Sequence, residues 1–160
     1  MASEQWGEFW KFLGQAITIV VGWAVVHRLT VRRDIDKARR ETVAKSADSL
    51  ADSVDRTLGA AIKYHTSPRS VTDELQLKTG LQDLSNRILA LGAISCDEAE
   101  LARCRSLSKR LWRNVTRQHF EDEHIAPCSI DAPQLQEIAA DALELKLALT
   151  RLKHRQFEIV

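Results

Sequence analysis

The chain has 160 residues, a net charge of +1, 28% charged residues and three prolines. Beyond the first 30 residues its aromatics are Tyr64, Trp112, Phe120 and Phe157, and Leu and Ala dominate. That is the composition of a helical protein, and about 130 residues are enough for one domain with a real core. Cys96, Cys104 and Cys128 form an odd set without CxxC spacing. They are expected as free thiols, and a cysteine metal centre would need more ligands.

The first element is the uncharged run Phe12–Val26, FLGQAITIVVGWAVV, of 15 residues. Alone it would make roughly 22 Å of helix, short of a hydrocarbon core about 30 Å thick. Its flanks supply the difference. Phe9, Trp10 and Leu29 are apolar, and Lys11 and Arg28 can carry their charges out to the interface. Phe9 to Leu29 then reaches roughly 31 Å. Trp6, Trp10 and Trp23 fall near the two ends, where amphipathic rings settle. The pattern predicts one transmembrane helix within residues 1–30. A cleaved signal peptide would begin with basic residues, and here Glu4 and Glu8 come first. A buried soluble helix would need neither the tryptophans nor the abrupt change to arginine.

Residues 28–40 hold six Lys or Arg, against one in residues 1–11. This predicts an N-terminus outside and a cytoplasmic C-terminal part, at the inner membrane of a bacterium. Arg28, Arg32 and Arg33 form a collar suited to anionic lipid headgroups. Asp34, Asp36 and Glu41 interrupt the basic juxtamembrane stalk, residues 31–45, and weaken that attraction. On the span itself Gly14, Thr18 and Gly22 recur every four residues, with Gln15 beside them. Small residues at this spacing let two helices approach closely, and Gln can bond across them, which predicts a homo-oligomer. The bland account is that Gly and Thr are common in such helices.

Residues 46–160 are expected to form a cytoplasmic helical bundle. A helix over about 31–64 carries Ile35, Ala38, Val43, Ala47, Leu50, Val54, Leu58 and Ile62 at helical spacing. Pro68 ends it. Leu77, Leu81, Leu84, Ile88 and Leu91 alternate at four and three, a coiled-coil-like seam over about 71–91 that stops at Gly92. Ser95 to Glu98 reads as a capping box opening a third helix. Its seam is Leu101, Cys104, Ser108, Leu111 and Val115, widened by Leu107 and Trp112. Residues 121–133 read as a loop. Asp131 and Pro133 suit the start of a fourth helix. There Leu135, Ile138, Ala142, Leu145, Leu149 and Leu152 form the seam, Leu143 and Leu147 add to that face, and Phe157, Ile159 and Val160 make an apolar tail. The fold class is therefore all-α: one transmembrane helix, then an up-down four-helix bundle. The alternative is a stalk that self-associates while the last three helices pack together.

Candidate sites are few. His119, Glu121, Asp122, Glu123 and His124 are the densest group of possible metal ligands. The two histidines stand five apart, so one helix would not aim both at one ion, and a polar helix end is the better account. Arg103, Arg110, Arg113 and Arg117 share a face of the third helix and form a candidate partner surface. Glu137, Asp141 and Glu144 lie at matching spacing on the fourth helix, which favours internal pairing. No nucleic-acid-binding module accompanies the stripe, and the balance is against nucleic acid. No phosphate loop, nucleophile elbow or readable triad is present, so no cofactor and no enzyme activity are expected.

The segment Val20 to Glu41, VVGWAVVHRLTVRRDIDKARRE, resembles the start of small uncharacterised bacterial single-pass inner-membrane proteins. Those carry a Gly-Trp near the end of a span, then His-Arg-Leu and Arg-Arg-Asp. The resemblance covers about 22 residues and implies topology without activity. The expected role is a membrane-anchored, non-enzymatic adaptor or regulator with a cytosolic protein partner. The competing classes are a membrane-perturbing effector of a defence or toxin system and a phage lysis protein with a periplasmic coiled coil.

Overall fold

Leucines recurring at four and three give a helix one apolar stripe, and such stripes are buried by packing against one another. Here they do so in a computed structural model that describes residues 2–95, 97–117, 120 and 127–158, without the side chains of 2–13, 15, 16 and 158. Among the described residues there are four α-helices and no strand: α1 (Ala2–Thr66), α2 (Val71–Leu91), α3 (Glu98–Val115) and α4 (Pro133–Glu158). The chain divides into two compact units, Met1–Arg39 and Arg40–Val160. The first is one stretch of α1. The second holds the rest of α1 with α2, α3 and α4.

Within the second unit every expected seam residue of α2 is buried: Leu77, Leu81, Leu84, Ile88 and Leu91. Ser70 caps α2, its hydroxyl oxygen accepting the Asp73 amide at 3.3 Å. The α3 seam is buried too, through Leu101, Cys104, Ser108, Leu111 and Val115. Its start differs from expectation. Asp97 is the cap, accepting the Glu100 amide at 3.0 Å. Ser95 is drawn into the preceding turn, its amide donating to the Leu91 carbonyl at 2.9 Å. The charged carboxylate two residues later takes the capping place.

The α4 seam is buried from Leu135 to Leu152. The first helical amides of α4 donate to the Ala132 carbonyl, while the Asp131 carbonyl accepts the Gln136 side-chain amide at 3.2 Å. No hydrogen bond from the Asp131 carboxylate to the first turn of α4 occurs among the described residues, so the expected cap is not formed. Leu143 and Leu147 do not join the core: they are 59% and 48% exposed on the outer side of α4. Phe157 is exposed as well, and Ile159 and Val160 lie outside the described residues. On α1, Val43, Ala47, Leu50 and Val54 are buried as expected, but Ile35 is exposed. Leu58 and Ile62 only flank a core that takes Thr57 and Ala61 instead.

Cross-helix bonds fix the arrangement. Lys146 and Lys153 of α4 reach Asp55 and Asp48 of α1. Those partners lie one heptad apart in opposite senses, so α1 and α4 are antiparallel. Lys63 meets Asp73, and Arg87 donates to Ser53 and Ser49 at 2.6 and 2.7 Å, setting α2 antiparallel to α1. Ser85 meets Ser108 between α2 and α3, and Arg110 meets Asp141 and Glu144 between α3 and α4. The result is an up-down-up-down four-helix bundle whose seams face one shared core. These ion pairs are mostly exposed and contribute about 0–1 kcal/mol each, whereas each buried leucine contributes about 1.5–3 kcal/mol.

Gly92 permits the tight turn into α3. A Cβ there would stand 2.9 Å from Leu101 Cδ2, besides meeting the Arg105 guanidinium. Leu101 is fully buried and has no room to yield. Gly92→Ala is therefore expected to lose about 1–3 kcal/mol, read as a lower denaturation midpoint, with Gly59→Ala, where nothing lies within 4 Å, unchanged or stabilised.

His65 closes the far end of α1. Its Nε2 donates to the Val115 carbonyl at 3.1 Å, and its own carbonyl accepts the Cys128 amide at 2.9 Å. Burial lowers its pKa from 6.5, and the bond to Val115 only partly offsets this. The folded state thus prefers the neutral ring. Stability is full above about pH 6.5 and is lost as pH falls from there toward the lowered folded value. Melting temperature is expected to drop between pH 7 and 5.5, and His65→Gln to flatten that slope.

Candidate functional site

Ten large apolar side chains of α1 from Ile17 to Ile35 are between 42% and 71% exposed. At 100° per residue, Ile17, Ile19, Val20, Val21, Trp23, Val25 and Val26 point to every side. The widest gap between them holds Thr18 and Gly22. Nothing lies within 4 Å of the places where Cβ atoms would stand on Gly14 and Gly22, so that face is open to close approach. The Thr18 hydroxyl donates to the Gly14 carbonyl at 2.8 Å, turned back on its own helix. Gln15, Trp6, Trp10 and Lys11 lie outside the described side chains. Trp23 stacks on His27, with centroids 5.1 Å apart. Arg28, Arg32 and Arg33 are exposed and form no ion pair among the described residues.

Among the described residues no helix is long and apolar enough to cross a membrane. Residues 12, 13, 15 and 16 of the expected span are among those whose side chains are not described.

The expected basic stripe of α3 is split by α4. Arg110 Nε donates to Asp141 Oδ1 at 2.6 Å and its Nη2 to Glu144 Oε2 at 2.7 Å. Glu144 first, then Asp141, raise the Arg110 pKa further. Asn114 adds a bond to Asp141 Oδ2 at 2.6 Å, a partner sequence reasoning missed. Arg117 stands 3.7 Å from Glu137. Arg103 and Arg113 are exposed and form no ion pair among the described residues, and the same holds for Lys109. Half of the stripe is consumed by the bundle and half faces solvent.

A groove lies between α2 and α3. Its volume is about 630 Å³, and Lys78, Thr79, Gln82, Asp83, Asn86, Trp112, Thr116 and Phe120 line it. Phe120 packs on Tyr64 with centroids 5.0 Å apart, and Lys78 Nζ sits 5.5 Å from the Phe120 centroid. Lys78 also pairs with Glu74 at 2.9 Å, and Arg69 pairs with Glu74 at 3.1 Å. The Lys78 bond and then Arg69, acting against burial, hold the Glu74 carboxyl below its usual range. The groove was not legible as such, because Trp112 read as a widened seam.

Cys104 is buried and its thiol is pushed up to about 11, chiefly by burial. At neutral pH it is an inert thiol. Cys128 is free and half-buried, and Cys96 lies outside the described residues. No group of three metal-ligating side chains occurs among the described residues. The cluster of His119, Glu121, Asp122, Glu123 and His124 lies outside them.

Comparison with protein families, curated proteins and solved structures finds no match to this chain.

Proposed function

We propose that this protein is a non-enzymatic adaptor or regulator, anchored in a bacterial inner membrane through residues 9–29, that presents its helical bundle to a cytosolic protein partner. The observation that carries this reading is the exposure of apolar side chains on every side of α1 between Ile17 and Val26. A helix that is apolar all round has no stable place in water. A single protein partner would cover one stripe, whereas lipid covers all sides. The sequence extends the same character back to Phe12, and the exposed arginines at 28, 32 and 33 suit anionic headgroups on the cytoplasmic face. The open face at Gly14, Thr18 and Gly22 favours a homo-oligomer within the bilayer.

The test is paired reporter fusions after Val160, one active only in the cytoplasm and one only in the periplasm. A cytoplasmic signal is expected. A periplasmic signal would sink the adaptor reading and bring the lysis alternative forward. Depolarisation on induced expression, abolished by Gly22→Leu, would instead favour a membrane-perturbing effector.

A further inference from the structure

We infer that the groove between α2 and α3 is a docking site for an acidic amphipathic helix of a partner protein. This rests on the adaptor reading and gives it a partner class. Three observations converge on the groove.

Its floor is aromatic. Trp112 and Phe120 line it, and both are only half-buried while packing against the core. Aromatic side chains held in place from behind are the commonest anchors of protein interfaces.

Its α2 wall is laid out for a helix. Thr79, Gln82, Asp83 and Asn86 line the groove. Leu75 and Leu89 continue the same four-three spacing at either end and are 64% and 58% exposed. Residues 75 to 89 cover about 21 Å, the length of about four helical turns. A helix laid along this row would set its apolar i, i+3, i+4, i+7 anchors against Leu75, Trp112 and Leu89.

Its α3 rim is cationic. Lys109 lies one turn before Trp112 and Arg113 lies beside it. Both are exposed, and neither forms an ion pair among the described residues. On the α2 side Lys78 is paired with Glu74 and Asp83 also lines the groove, so that wall is close to neutral and the positive charge lies on the α3 rim. Rim charges of one sign select a partner of the other sign and speed its encounter. A nucleic acid would satisfy the cations and leave Leu75, Leu89 and Trp112 without an apolar partner. An acidic helix with one apolar stripe satisfies both.

The test uses the full chain in lipid nanodiscs and three labelled synthetic peptides of four turns, followed by fluorescence anisotropy. The first carries Leu and Phe on one face and Glu on its flanks. In the second Lys replaces Glu. The third scrambles the first. Binding of the acidic peptide is expected to exceed the other two by tenfold or more and to weaken with added salt. Lys109→Glu with Arg113→Glu leaves the packed core untouched and is expected to weaken binding at least tenfold. Leu75→Ser is expected to weaken it severalfold. Trp112→Ala should do the same, with its fold checked by circular dichroism. Equal binding of the basic or scrambled peptide, failure of the acidic peptide to bind, or indifference to the double charge reversal would each overturn the proposal. So would displacement of the acidic peptide by single-stranded oligonucleotide in wild type and charge-reversed protein alike. Incorporation into the nanodisc reads the anchor separately, so a groove that fails leaves the membrane reading standing.

Discussion

Leu145→Ala is expected to lower the melting temperature of the full chain in mild detergent by roughly 10 °C. Leu145 is fully buried, in the row of α4 that meets the shared core. Truncating a buried leucine costs about 2–5 kcal/mol, the transfer of its lost carbons plus the cavity left behind. In a bundle of this size each kcal/mol moves the midpoint by a few degrees. Leu143→Ala, two residues earlier, is expected to change stability by less than about 0.5 kcal/mol, because Leu143 is 59% exposed. The paired measurement checks which α4 row faces the core. Equal losses at the two positions would contradict the packing described.

Asp141→Ala is expected to cost about 2–3 kcal/mol by chemical denaturation. Its side chain is only 7% exposed, and it accepts from Arg110 and from Asn114. Removal leaves the Asn114 amide without its acceptor inside the α3–α4 seam. Arg110 fares better, because it is 45% exposed and keeps Glu144. That exposure is why the estimate stays below the cost of breaking a fully buried pair. Glu144→Ala, at a site 51% exposed, is expected to cost about 0–1 kcal/mol. A loss at Glu144 as large as at Asp141 would show that charge, rather than buried hydrogen bonding, holds the two helices.

The contrast between Leu143 and Leu145 shows where the sequence stops being informative. In α2 the leucines of the seam are buried, while Leu75 and Leu89 fall clearly off that row, so spacing alone selects the core. In α4 leucines occur on both sides, and periodicity does not say which row meets the other helices. On α1 the buried positions include Ser53 and Thr57. Ser53 accepts from Arg87 across to α2, and the Thr57 hydroxyl donates to the carbonyl of Ser53. Nothing in the apolar periodicity marks such residues as interior, because their hydroxyls are satisfied by a distant partner, Arg87, for Ser53 and by the helix's own carbonyl for Thr57. The α3 start was misread for a related reason: Ser95 and Asp97 are both good caps, and the turn after Gly92 decides between them. The pairing of Arg110 and Arg117 with acids of α4 was legible because both helices present charges at matching spacing. The groove at Trp112 was not, since it is made by two helices whose separation no sequence pattern encodes.

The central claim is that α1 holds the bundle in a lipid bilayer. Extraction of membranes from cells expressing the full chain with alkaline carbonate tests it most directly, since this strips peripheral proteins and leaves integral ones. The account predicts that the wild type stays with the membrane pellet and that Val20→Asp with Val21→Asp moves it to the supernatant. Release of the wild type into the supernatant would contradict it, and the exposed apolar side chains of α1 would then have to be covered by protein.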